Sequence, residues 1–234
     1  MKAIIKREIL SYFTLATGYV LLAGFYIMSG LFFYLTSLMQ RSTNLTYLFN
    51  NLFLVVVLFI PVLTMRLFSE EKKQRTDQAL LTAPVSLFSI VFGKYVAAML
   101  MFLCCISITL VYGLVVSFFG FTDWPVIFGN FIGLFLLGAA FCAIGLFISS
   151  LTENQIIAGF AMLGIGILIM LFDNISEVIS VDFLSKLMTQ LSFLGHYKNF
   201  TLGVLDLFDV VFFLSISGLF VFLTTRVLEK KRWS

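Results

Sequence analysis

Charge is absent from six long stretches of this 234-residue chain: residues 9–40, 42–65, 95–122, 124–152, 154–172 and 210–225 hold no Asp, Glu, Lys or Arg. The hydrocarbon core of a bilayer is about 30 Å thick and takes about 20 helical residues to cross, so four of these stretches are ample and the last two are just adequate. Composition agrees, because 61% hydrophobic and 12% charged residues leave too little polar surface to cover a water-soluble globule of this length. The pattern predicts an all-α membrane protein with six transmembrane helices, built as one transmembrane domain over residues 1–234.

The basic residues orient it. Lys2, Lys6, Arg7, Arg66, Lys72, Lys73, Arg75, Lys94, Arg226, Lys230, Lys231 and Arg232 fall on one side of the six runs, and Arg41, Lys186 and Lys198 on the other. Lys and Arg are retained in the cytoplasm during insertion, so both termini and the segment 66–92 are expected there. The net charge of +3 is then a topological signal and gives no argument for nucleic-acid binding.

The first apolar run is far longer than the roughly 7 to 15 residues of a cleavable signal core and is read as a retained helix. Ahead of it, Ile5, Ile9, Tyr12, Phe13 and Ala16 share a helical face while Lys2, Lys6 and Ser11 lie elsewhere. That spacing predicts an amphipathic interface helix over residues 1–16, at the inner headgroup level.

Between the second and third runs, residues 66–92 form the one long polar stretch on the inner side. Ser69 is placed to cap a helix with Glu70 and Glu71 in its first turn and bases after them, Glu71 and Arg75 are spaced as an i,i+4 pair, and Pro84 ends the helix. A charged helix of about three turns is expected, either a solvated linker or a docking element for a cytoplasmic partner. Pro61, lacking a donor and crowding the carbonyl of Val57, is a possible hinge just above it. The outer segment 173–209 carries apolar residues at helical spacing (Ile175, Val178, Ile179, Leu184, Leu187, Met188, Leu191) and predicts short amphipathic helices that lie on the outer leaflet or dip into it as a re-entrant hairpin. The single His196 is read as a surface or interfacial residue, and Cys104, Cys105 and Cys142 as small apolar residues inside spans.

Some chemistry is missing. Gly93-Lys94 is followed by Tyr95 and lacks the glycine five positions earlier, so no phosphate-binding loop is formed. No run carries the central carboxylate, Lys, Arg or His of a proton relay, and no hydrolytic or metal-ligating set occurs. A six-span chain with no energy source of its own is expected to borrow one.

Four stretches carry a resemblance: Lys6-Arg7-Glu8-Ile9-Leu10-Ser11-Tyr12-Phe13 with Gly18-Tyr19; Glu70-Glu71-Lys72-Lys73 through Leu80-Leu81-Thr82-Ala83-Pro84; Ser149-Ser150-Leu151-Thr152-Glu153-Asn154-Gln155-Ile156; and Gly203-Val204-Leu205-Asp206 with Leu228-Glu229-Lys230-Lys231-Arg232-Trp233. Together they resemble the permease subunits of ABC-2 type ABC transporters, most closely the gliding-motility-associated group of bacteria. The resemblance implies a non-catalytic subunit of an exporter in the bacterial cytoplasmic membrane. Lys6, Arg7 and Glu8 would belong to a connecting helix. Residues 70–83, with Glu70, Glu71, Lys72, Lys73, Arg75, Thr76 and Asp77, would form a coupling helix docked on a separate ATP-binding subunit. Two copies of that subunit would hold ATP and Mg, this chain would bind no cofactor, and a second permease, identical or related, would complete the path, with room for an accessory extracytoplasmic protein. Such proteins usually have Gly where this chain has Arg75; with Arg there, the helix is expected to continue. A membrane scaffold of an envelope or secretion machine, and an ATP-independent channel, are the alternative classes.

Overall fold

The computed structural model describes residues 2–14, 16–76, 86–120, 123–176 and 190–233 of the chain. Among the described residues ten α-helices follow one another: α1 (Lys2–Thr14), α2 (Ala16–Phe33), α3 (Thr46–Thr64), α4 (Ser69–Lys73), α5 (Leu87–Ile106), α6 (Ile108–Ser117), α7 (Trp124–Leu151), α8 (Gln155–Ser176), α9 (Phe193–Thr201) and α10 (Leu207–Trp233). A π-helical turn, Tyr34–Leu38, extends α2.

Among the described residues six segments are long and apolar enough to cross a membrane: Ala16–Leu38, Thr46–Lys73, Leu87–Ser117, Trp124–Leu151, Gln155–Phe172 and Leu207–Arg232. Each of the six charge-free runs falls on one of them, and the expected all-helical, six-span architecture is what forms. Pro125 lies in the first turn of α7, where a missing N–H costs nothing, and Asp123 occupies the N-cap position without a side-chain cap bond. The third span begins earlier than the charge pattern suggests. Ser86 caps α5 by accepting from the Ser89 amide at 3.3 Å, so Lys94 lies about two turns inside a helix rather than before it.

α7 is the axis of the bundle and packs against α3, α5, α8, α9 and α10. Its glycines make this possible. A Cβ at Gly138 would overlap the Phe102 ring of α5, one at Gly145 the Thr64 side chain of α3, and one at Gly133 the Phe200 side chain of α9. Small residues along α7 therefore serve close packing inside one chain, where interlocking side chains exclude voids. The consequence is an unequal distribution of burial: 78% of the apolar window of α7 is covered, against 28% in the first and last spans and 17% in α8.

Pro61 is buried within α3 and the helix runs on through it to Thr64, its carbonyl accepting from the Met65 amide at 2.9 Å. Of the amphipathic pattern expected over 173–209, residues 177–189 lie outside the described residues. The described remainder contains α9, a helix that the apolar spacing upstream does not announce.

Candidate functional site

Among the described residues, a dense polar cluster lies at the end of the bundle that carries α1. Four charged side chains close a ring of alternating sign. Arg7 Nη2 donates to Glu8 Oε1 at 2.8 Å and to Glu71 Oε1 at 2.6 Å, and Lys94 Nζ lies 3.0 Å from each of the same two oxygens. Arg7 and Glu8 come from α1, Glu71 from α4 and Lys94 from α5, so three helices distant in sequence share one neutral ring.

Lys94 is 1% exposed. A buried ammonium needs its protons paired, and it also donates to the Leu67 carbonyl at 2.7 Å and stands 5.1 Å from the Phe68 ring centroid. Burial pushes the Glu8 carboxyl up, but Lys94 and Arg7 outweigh that effect and hold it below the usual carboxylate range. One turn on, the buried Tyr12 hydroxyl donates to the Leu63 carbonyl at 2.9 Å, joining α1 to the end of α3. A second pair lies alongside, with Arg66 donating through Nε to Glu70 Oε2 at 2.8 Å and through Nη1 to Thr17 Oγ1 at 2.7 Å.

α4 is fastened from a third direction by α7. Ser149 Oγ accepts from the Phe68 amide at 3.0 Å and the Ser69 amide at 3.2 Å, and it donates to the Met65 carbonyl at 3.1 Å. Two of the first free N–H groups of α4 are thus satisfied by a side chain from another helix. Lys72 Nζ donates to the Ser150 carbonyl on the same turn of α7. The expected cap at Ser69 is corrected: Ser69 is the first helical residue and its hydroxyl donates backwards to the Met65 carbonyl.

The expected length of α4 is corrected too. The helix stops at Lys73, and Arg75 adopts φ +56°, the left-handed conformation that favours glycine. Arg75 N–H donates to the Lys72 carbonyl at 3.1 Å and Thr76 N–H to the Glu71 carbonyl at 3.0 Å, the paired bonds of a Schellman C-cap. Arg75 stands in the turn where glycine would stand and ends the helix just as glycine would. The expected Glu71–Arg75 pair does not form, because Glu71 is already held by Arg7 and Lys94.

The residues expected to couple to a partner therefore divide into two sets. Glu70, Glu71 and Lys72 are partly buried and turned into the bundle, while Lys73, Gln74, Arg75 and Thr76 are exposed; Asp77, with the rest of the segment to 85, lies outside the described residues. In α1, Lys6 is exposed, Arg7 is half-exposed and Glu8 is buried with Tyr12. The apolar face expected there is corrected in one respect: its packed stripe runs through Glu8, and Phe13 and Ala16 are exposed.

Lys94 and Ser149 are the residues that sequence reasoning missed. The charge pattern places Lys94 at the inner boundary of a span, although a single lysine embedded in apolar helix is itself a signal of a buried partner. Ser149 has no comparable signal.

Five apolar helices around a covered sixth, with charge gathered at the end that carries α1, define a multi-pass membrane protein. More narrowly, the family described as "ABC-2 family transporter protein" matches residues 34–227, and the chain belongs to it. No match was found among curated proteins.

Proposed function

We propose that this chain is the membrane subunit of an ATP-driven ABC-2 exporter in the bacterial cytoplasmic membrane, with its two termini and α4 in the cytoplasm. In this reading a separate ATP-binding subunit, present twice, meets the exposed edge of α4 at Lys73, Gln74, Arg75 and Thr76. A second permease, identical or related, completes the path. ATP and Mg belong to the partner; this chain's part is mechanical.

One observation carries the reading. α4 is a five-residue helix tied to three others at once, by Glu71 to Lys94 of α5 and Arg7 of α1, and by Lys72 and the Ser69 amide to Ser149 and Ser150 of α7. A push on its exposed edge would not be absorbed locally, because the ties to Lys94, Ser149 and Ser150 are buried or partly buried and costly to leave unpaired. Displacement of α4 would pass to α1, α5 and α7 together. A solvated linker has no need of such anchorage.

The test is a double substitution, Lys73→Glu with Arg75→Glu, in the complex purified with its ATP-binding subunit and reconstituted in vesicles. These side chains are exposed, so the bundle should remain folded while association with the ATP-binding subunit and ATP-driven flux fall together. Undiminished association and flux would remove α4 as the point of coupling.

A further inference from the structure

At the end of the bundle away from α1, His196 of α9 is buried against Asp209 of α10, contrary to its expected surface position; the two residues are 8% and 2% exposed. Its Nδ1 lies 2.5 Å from Asp209 Oδ1, and its Nε2 lies 3.0 Å from the Gln190 carbonyl oxygen. The other carboxylate oxygen of Asp209 accepts from Asn199 Nδ2 at 2.9 Å. The imidazole stacks on Phe212, with centroids 4.1 Å apart and planes 28° from parallel.

Both ring nitrogens face acceptors. A neutral imidazole carries one N–H, so one of the two contacts would then set a lone pair against an oxygen in a buried site. The imidazolium satisfies both contacts, and its charge is met by a carboxylate and an aromatic face. Among the described residues, Asp209 is the charged group that faces the ring. The other helices packed on α9, namely α3, α7 and α8 as far as Phe172, contain no charged residue in their spans. On α9 itself Lys198 is exposed, and the Tyr197 hydroxyl is engaged with the Phe49 carbonyl at 2.8 Å.

We propose that His196 and Asp209 form a proton-binding site that works as a latch. With a proton on each ring nitrogen, the imidazolium ties α9 to α10 through Asp209 and to the incoming backbone through Gln190. When the ring gives up one proton to solvent, the shorter Nδ1–H contact to the carboxylate is kept and the Nε2 contact to Gln190 is lost. The entry to α9 then loosens. α9 is the element that fills the bundle at this end, with Tyr197 and Phe200 fully buried, so the latch governs how firmly this end is closed. The inference is independent of coupling at α4 and holds whether or not that reading survives.

His196 is the only histidine in the chain, so a ring-labelled sample reports one residue. The full chain in lipid nanodiscs, labelled with ¹⁵N in the histidine ring, is titrated from about pH 5 to about pH 10 while hydrogen exchange of residues 193–201 is followed, corrected for the intrinsic rate. Expected is a ring with both nitrogens protonated in the latched state, and a loss of α9 protection of about tenfold that follows the ring's deprotonation, while α7 is unchanged. In Asp209→Asn the carboxylate partner of the ring is gone, and α9 should be less protected than in wild type under the conditions where the wild-type latch is closed. Protection that does not follow the charge of the ring, or a wild-type ring neutral throughout, overturns the proposal. The wild-type titration decides this even if the variant does not fold.

Discussion

Lys94 Nζ lies 3.0 Å from the Glu71 carboxylate, and this contact joins the short helix α4 to the interior of the third span. Replacing Lys94 with Met leaves Glu8 and Glu71 with only the half-exposed Arg7 between them. Removing one partner of a buried ion pair costs about 3–5 kcal/mol. Thermal unfolding of the purified chain in detergent should show a large loss of stability for Lys94→Met. A second change, Glu71→Gln, should recover part of it by removing one uncompensated charge.

Arg75→Gly should stabilise the end of α4. Arg75 holds φ +56°, where a residue with a Cβ is disfavoured by about 1 kcal/mol. Hydrogen exchange at the Thr76 amide, bonded to the Glu71 carbonyl, should slow in Arg75→Gly and quicken in Arg75→Val.

The contribution of Glu8 depends on pH in a definite direction. Its carboxyl titrates below the ordinary glutamate value of about 4.5 in the folded chain, so the stabilisation is complete above that value and fades as pH falls through the lowered one. Wild type and Glu8→Gln, unfolded thermally across the acid range, should differ by a constant amount near neutrality and converge at low pH.

Ser149→Ala removes the acceptor used by the Phe68 and Ser69 amides. Loss of such a cap costs about 1–2 kcal/mol. The loss should appear as faster exchange at those two amides, with α7 itself unaffected.

Gly138→Ala forces a methyl group into the Phe102 ring, which is buried and has little room to turn. Overpacking of this kind costs about 1–3 kcal/mol. Phe102→Leu in the same chain should relieve it, and a double-mutant cycle on the two melting curves measures the coupling.

The six spans were legible because a membrane enforces its rule residue by residue: one charge in hydrocarbon is expensive, so missing charge marks a span wherever it occurs. The ring of Arg7, Glu8, Glu71 and Lys94 was not legible, because no local pattern says which of many lysines meets which carboxylate across a fold. α4 shows the limit more sharply. Its charges, its preceding serine and its following bases all describe a longer helix capped by Ser69, yet the cap comes from Ser149 of α7, and Arg75 takes a backbone conformation that propensity assigns to glycine. His196 failed for the same reason as Lys94, since its partner Asp209 is named only by the packing of α9 on α10.

The burial of α7 has a consequence for passage through the membrane. A helix clasped on every side by its own chain has no surface left to offer a traveller, and α7 is nearly such a helix. The spans with most surface left uncovered by their own chain are α2, α8 and α10, so a route walled by them would open at the margin of the bundle rather than through its middle.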